Sequence, residues 1–294
     1  MRAASTAALA PVIALACALA LPQAAQGADY LRGSQIEQPV EAPPMFGGGR
    51  FDWSGFYFGG GAGASDTKFK PDQGLGTLAN YAFRNTVLGA EGNIGSLVGD
   101  LAEKRDSGSN FFGMVGYNYL FDDVVLGFEV DYTRSSQEYT LNDFIGRRIT
   151  TSEGLNDVNI TTSHGAKLND YATARLRMGW AYGRLMPYAT IGGAVGRFNT
   201  VSSIRSTWFL TRTNPMTGAT EAFYAAGYTP TNPSIVGGAK KNVYGFGLSA
   251  GAGVEWAVTD NLILRGEYQL IRFAEVEGTT VTVNTARVAA ALKF

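Results

Sequence analysis

Polar and apolar residues alternate strictly along several stretches of the chain. In LGFEVDYT (126–133) the apolar side chains take the even positions, while Glu129 and Asp131 take odd ones. TARLRMGW (173–180) and LILRGEYQL (262–270) repeat the scheme. Because successive side chains of a strand point to opposite faces, each stretch predicts a β-strand with one oily and one charged face.

Eight such stretches predict eight strands, near residues 54–65, 110–121, 124–135, 170–182, 187–198, 243–257, 261–273 and 281–294. The connections alternate in length: those after the first, third and fifth strands are long, and those after the second, fourth and sixth are tight turns. Such sorting is typical of a membrane-spanning meander. We therefore predict an all-β fold, an eight-stranded antiparallel up-and-down transmembrane β-barrel with long extracellular loops and short periplasmic turns.

The chemistry of a bilayer decides which face of the strands points outward. Hydrocarbon contains no water, so charged side chains cannot face lipid at low cost, and we expect the oily face to be outside. Aromatic residues should then mark both membrane interfaces. Trp180, Trp256 and Phe294 are expected on the turn side, and Phe111 and Tyr132 on the loop side.

An eight-stranded barrel has an interior just wide enough to be filled by its own side chains. The expected interior contains four acids and four bases, namely Glu129, Asp131, Glu255, Glu267, Arg175, Arg177, Arg265 and Arg287. Ion pairs across neighbouring strands predict a lumen plugged by a charge network. Inward glycines, among them Gly59, Gly61 and Gly251, either give these side chains room or leave a thin water path. A narrow pore for small solutes is therefore the alternative.

Composition adds information about export. Charged residues make up 17% of the chain, below the typical ~25%, and the 38 glycines are about twice the usual share. Residues 1–27 combine Arg2 with an apolar run and small residues, the pattern of a secretory signal peptide. We expect a Pro/Gly-rich periplasmic linker over 28–52 and the barrel over 53–294. The one Cys, Cys17, lies in the predicted signal peptide, so no disulfide is expected in the mature chain.

Residues suited to catalysis or metal binding are scarce. The one His, His164, lies beside Ser163 and is expected to be a polar loop residue, because a catalytic pair is assembled by the fold rather than by adjacency. One His and no mature Cys predict no metal site. A net charge of −1 without a basic run argues against nucleic acid as a partner. We expect no enzyme activity and no cofactor.

The third long loop is unusually aromatic. Its aromatic residues are Trp208, Phe209, Phe223, Tyr224 and Tyr228. Exposed aromatics beside arginines anchor binding interfaces, so these residues are candidates for an extracellular ligand or adhesin surface. Packing against one another to hold the loop together is the other interpretation of the same residues.

Several separately placed motifs resemble the outer-membrane β-barrel "porin family", which is related to OmpA-like and opacity-type eight-stranded barrels. They include WSGFYFGGGAG, GYNYLF, ARLRMGWAYGRLMPYATIGGAVG, GAGVEWAVTDN, LRGEYQLIRF and the final RVAAALKF. The similarity runs from about Trp53 to Phe294. The three long loops match no pattern of this family.

The resemblance implies a surface protein of the Gram-negative outer membrane that contributes to envelope integrity and is often a surface antigen. It implies contact with outer-membrane lipid and lipopolysaccharide, and handling by periplasmic chaperones and the barrel-assembly machinery. A C-terminal insertion signal is implied at Phe294, Leu292, Ala290 and Val288. A soluble lipocalin-like barrel is the competing class, disfavoured because it would turn the oily face inward and expose Arg and Glu.

Overall fold

The computed structural model describes residues 51–71, 74–99 and 102–294. The predicted signal peptide (1–27) and all but the last two residues of the predicted linker lie outside the described residues. Phe51 of that linker is buried and packs edge-on against Trp53, with 4.7 Å between ring centroids. No helix in the described part of the chain is long and apolar enough to cross a membrane.

Ten strands and three short helical segments make up the described chain. The strands are β1 (Gly55–Pro71), β2 (Lys104–Phe121), β3 (Val124–Arg134), β4 (Glu138–Thr151), β5 (Gly154–Trp180), β6 (Leu185–Thr213), β7 (Thr220–Tyr224), β8 (Ser234–Ala257), β9 (Leu262–Val276) and β10 (Thr279–Lys293). The helices are α1 (Gly74–Ala82), α2 (Val87–Glu91) and a 3₁₀ turn (Ile94–Leu97).

Eight of the strands close into a barrel through antiparallel pairing in the order β1, β2, β3, β5, β6, β8, β9, β10 and back to β1. This confirms the predicted strand number and topology. The short turns after β2, β5 and β8 all lie at one end, as predicted. Asp122 and Gly183 adopt positive φ in the first two of these turns, which lets the chain reverse within a few residues.

At the end of the barrel opposite the short turns, the predicted strand bounds are wrong, because the strands are longer than predicted. The fourth barrel strand, expected at 170–182, begins at Gly154, and the fifth, expected to end near 198, runs to Thr213. β4 and β7 pair with these extensions, so much of the second and third "loops" is sheet. A membrane strand needs only ~9–11 residues, so β5 and β6 must project far beyond the bilayer.

The outer surface of the lower barrel is an apolar belt. Its exposed side chains include Phe58, Tyr117, Phe128, Leu176, Met178, Trp180, Ile191, Leu248, Trp256, Leu264, Val288 and Phe294. Aromatic residues lie at both edges, with Trp180 and Trp256 at the turn end and Phe111, Tyr132 and Tyr244 at the loop end. This apolar belt fits the hydrocarbon core of a bilayer, because contact between these side chains and water is unfavourable.

The interior is layered, and β9 shows the order along its inward face. Ile263 belongs to a lower apolar layer, Arg265 and Glu267 to a charged layer, and Ile271 and Phe273 to an upper apolar layer. The lower apolar layer is built from Phe51, Trp53, Tyr57, Phe112, Met114, Val125, Met186, Ala257, Ile263, Ala289 and Ala291. The upper apolar layer includes Phe69, Tyr139, Leu168, Tyr171, Phe198, Ile271, Phe273, Val276 and Val281.

The first long loop folds as a helical cap (residues 74–97) on the projecting sheet. Leu75, Phe83, Leu88 and Ile94 of the cap are buried against inward residues of β5 and β6, including Trp208. Phe83 stacks on Tyr228 at 5.0 Å, and the Tyr228 hydroxyl donates to the Ala82 carbonyl at 2.5 Å. The third loop therefore holds the first in place.

Substituting Trp208→Ala should loosen the helical cap without opening the barrel. The indole is 6% exposed, and its Nε1 donates to Asn156 Oδ1 at 2.7 Å, so its removal should cost about 3–5 kcal/mol of local stability. Trypsin should cleave after Arg84 faster in this variant than in the parent protein. Phe209→Ala, on the opposite face of β6, is the control and should be cleaved at the parent rate. Equal cleavage rates for the parent and Trp208→Ala would contradict the packing of Trp208 against the cap.

Candidate functional site: the charged layer of the lumen

Strand register places the lumen charges in opposed pairs. Glu129 lies directly opposite Arg175, and Glu255 opposite Arg265. The third pair is Glu267 with Arg287, whose Nη2 lies 2.8 Å from Glu267 Oε1. The structure thus brings together all eight charged residues expected in the lumen.

A second set of contacts crosses between strands that are not neighbours. Arg265 Nη1 reaches Glu129 Oε2 at 2.6 Å, and Arg177 Nη2 reaches Glu255 Oε1 at 2.9 Å. Arg175 lies 3.0 Å from Asp131 Oδ2 on the neighbouring β3 and also bonds Glu267 on β9, which is not a neighbour of β5. These contacts tie opposite walls of the barrel together.

Every member of this charged layer is at most 5% exposed, and each contacts at least two partners of opposite charge. A buried charge is costly unless it is paired and hydrogen-bonded. Four carboxylates and four guanidinium groups leave the layer formally neutral. The arrangement therefore provides the pairing of opposite charges that a closed interior requires.

Two tyrosines that the sequence reasoning missed complete the layer. The Tyr57 hydroxyl donates to Glu129 Oε2 at 2.6 Å and accepts from Arg177 Nη1 at 2.7 Å. Tyr188 donates to Glu267 Oε2 at 2.6 Å, and its ring lies 4.4 Å from the Arg177 guanidinium carbon. Both tyrosines occupy inward-facing positions on strands that carry lumen glycines. The alternation of inward and outward residues along these strands could have identified them from the sequence.

The inward glycines make room for these side chains. A Cβ atom at Gly116 would lie 2.3 Å from the Tyr57 hydroxyl oxygen, and one at Gly253 would lie 2.8 Å from that of Tyr188. Gly251 faces Thr190 and Glu267 at similarly short range. The space beside these glycines is thus occupied by polar side chains.

The five loop aromatics divide into two groups. Trp208 and Tyr228 are turned inward and anchor the helical cap. Phe209 and Tyr224 meet edge-on at 5.0 Å on the outer face of the β6–β7 hairpin, and the Arg212 guanidinium carbon lies 5.2 Å from the ring centre of the exposed Phe223. Phe223 and Arg212 lie on the other face of this hairpin, because Phe223 pairs with Leu210. Phe209, Phe223 and Tyr224 together form the hairpin patch, which includes side chains on both faces.

His164 is not the polar loop residue that the sequence predicted. It lies within β5, is 4% exposed, and points inward above the membrane-spanning part of the barrel. Burial lowers the pKa of its imidazole, which favours the neutral ring. The sequence did not indicate a strand here because polar and apolar residues alternate only weakly in TTSHGA (161–166). Its inward residues Thr162, His164 and Ala166 are nevertheless all buried.

The residues of the implied insertion signal lie on the lipid-facing side of β10. Val288, Leu292 and Phe294 are exposed, and Ala290 continues the row. Phe294 stacks on Phe58 at 5.6 Å, and its backbone N–H donates to the Phe56 carbonyl. Among the described residues, no group of three or more His, Cys, Asp or Glu is placed to hold a metal ion.

No protein-family profile matches the chain, and no curated protein matches it in sequence. Its fold is similar to solved outer-membrane β-barrel structures. The attachment invasion locus protein Ail of Yersinia pestis is 10% identical, with 82% of this chain and 99% of that chain covered and a TM-score of 0.33. Neisserial surface protein A is 14% identical, with coverages of 82% and 98% and a TM-score of 0.34.

The N-terminal β-barrel domain of Pseudomonas aeruginosa OprF is 13% identical, with coverages of 80% and 99% and a TM-score of 0.26. The pairing of this chain's own strands and their oily outer face define the class directly. The protein is an eight-stranded transmembrane β-barrel, as the sequence predicted.

Substituting Glu267→Gln should strongly destabilise the barrel. Glu267 contacts Arg175, Arg265 and Arg287, so removing its charge leaves four buried cations with three carboxylates. We expect a loss of about 3–5 kcal/mol in the free energy of unfolding, read from tryptophan fluorescence in guanidinium chloride. Glu275→Gln, at an exposed position of the same strand, is the control, and equal denaturation midpoints for both variants would refute the role of the charged layer.

Proposed function

We propose that this protein is a structural component of a Gram-negative outer membrane, with a lumen that does not conduct and a surface projecting outward. The apolar belt supports membrane residence, because a barrel of this polarity cannot be stable in water. The row ending at Phe294 supports recognition by the barrel-assembly machinery. We assign the protein no enzymatic role and no cofactor.

The closed lumen rests on one observation, the neutral charged layer between two apolar layers. An ion entering the lumen would have to displace cross-barrel salt bridges and then pass packed aromatic side chains. Either step carries a large desolvation cost. This arrangement favours a plugged lumen over a narrow pore, which was the alternative interpretation of the inward glycines.

Planar-bilayer recording tests this proposal. The purified, folded protein should show no steady conductance at neutral pH, whereas a channel-forming peptide added to the same bilayer should conduct. Heat-modifiable migration on a gel would verify that the inserted protein is folded. A steady open conductance that scales with the amount of folded protein would refute the closed lumen.

The hairpin patch supports a second candidate function, adhesion to an extracellular partner. Phe223 is 39% exposed beside Arg212, the combination that anchors protein interfaces, and Tyr224 is 43% exposed on the opposite face of the hairpin.

The double variant Phe223→Ala, Tyr224→Ala should therefore reduce attachment of protein-bearing cells or vesicles to a host-cell surface severalfold, because the aromatic anchors are lost. Counting bound vesicles measures the effect. Phe144→Ala removes an exposed aromatic from β4 and serves as the control. Attachment that the double variant leaves unchanged would exclude the hairpin patch.

A further inference from the structure

The barrel wall has a side opening above the apolar belt. β8 pairs with β9 only from Gly247 opposite Phe273 downward, so no strand of the described residues pairs with its edge over 234–246 on that side. β9 ends at Val276 and β10 begins at Thr279, joined by a tight turn in which Glu277 and Gly278 adopt positive φ. Lys240 Nζ reaches across the opening to Glu277 Oε2 at 2.7 Å.

Behind this opening lies a cleft of about 640 Å³. It lies under the first turns of α1 and is lined by Gly74, Thr77, Leu78, His164, Thr200, Ser202, Gly237, Gly238, Ala239, Lys240, Glu275, Glu277 and Gly278. Pockets of about 300–1,000 Å³ are the size that holds small organic ligands. Phe198, Val243 and Val276 of the upper apolar layer close the lumen next to it.

The inner wall of the cleft carries a fixed polar cluster. His164 Nδ1 lies 2.7 Å from Ser202 Oγ, and His164 Nε2 lies 3.1 Å from Thr279 Oγ1. The Tyr139 hydroxyl shares Thr279 Oγ1 at 3.1 Å. Both ring nitrogens are therefore held, so the ring orientation is set before any ligand arrives. Ser202 and the nearby Thr200 hydroxyl can donate to an acceptor in the cleft.

The charges at the mouth define which ligands fit. Lys240 is paired with Glu277, and Glu275 adds a second carboxylate, so the three lining charges sum to −1. Anions are repelled by this balance. Small side chains leave the space open. A Cβ atom at Gly238, which pairs with Ser202 and faces the same side, would have no atom of the described residues within 4 Å.

We propose that this cleft binds a small uncharged amphiphile, with an apolar body and a hydroxyl or carbonyl head, which enters sideways between β8 and the β9–β10 turn. The head hydrogen-bonds to the hydroxyls of Ser202 and Thr200, with Ser202 held in place by His164, while the body lies along Leu78 and the glycine-lined edge of β8. The mouth lies above Tyr244 and Arg272 on the outer surface. A ligand therefore reaches it without entering the charged layer.

Photolabelling of the full-length folded protein with a diazirine-bearing benzyl alcohol tests this site. Saturable labelling should map by mass spectrometry to peptides containing 200–202 or 237–240. Gly238→Trp should reduce it by about tenfold, because the indole fills the cleft. Ile235→Trp, whose exposed side chain faces outward from the same strand and does not line the cleft, should label like the parent.

Three outcomes would overturn the proposal: labelling confined to the apolar belt, undiminished cleft labelling in Gly238→Trp, or stronger labelling by the matching benzoate. Heat-modifiable migration verifies folding of each variant. If Gly238→Trp does not fold, Thr77→Trp places the same bulk on the helical cap outside the barrel wall and must reduce cleft labelling as well. The closed lumen is tested by conductance, so either proposal can fail alone.

Discussion

Compensation of buried charge is the constraint on which this barrel depends. Eight strands enclose too little space for water to solvate ions, yet eight ionised side chains project into that space. The solution is reciprocal: each guanidinium contacts at least two carboxylates, and each carboxylate contacts at least two guanidinium groups. Removing one member leaves an uncompensated charge, whereas the complete set is neutral.

The other features of the barrel follow from this charged layer. Tyr57 and Tyr188 add hydrogen bonds to the carboxylates, and glycines opposite them provide the space for their rings. Apolar layers on both sides keep water away, which strengthens the electrostatic contacts inside. The hairpin patch and the side cleft lie outside the charged layer, on the projecting sheet, where they are accessible from the surface.

Strict alternation predicted the membrane part of the fold well. The same parity that assigns Leu176 and Met178 to lipid assigns Arg175 and Arg177 to the lumen, so strand number, facing and the eight charged residues could be read from the sequence. Alternation tells nothing about which residues meet across the lumen. The contact of Arg265 with Glu129 depends on the barrel's closure and shear, which no local pattern encodes.

Above the membrane the pattern weakens because both faces of the sheet carry small polar residues, such as Thr161, Thr162 and Ser163. The strand extensions, the burial of His164 and the helical cap were missed for that reason. The pairing of Trp208 and Tyr228 with Phe83 joins segments more than a hundred residues apart. Such a contact becomes visible only when the fold is known.

The most direct test of a dry, closed charged layer is the exchange of its arginine Nε protons with water, measured by NMR on the folded protein in detergent. We expect slow exchange and no water contact for Arg175, Arg177, Arg265 and Arg287, with fast exchange at the exposed Arg272. Water-rate exchange at the four lumen arginines would contradict this expectation.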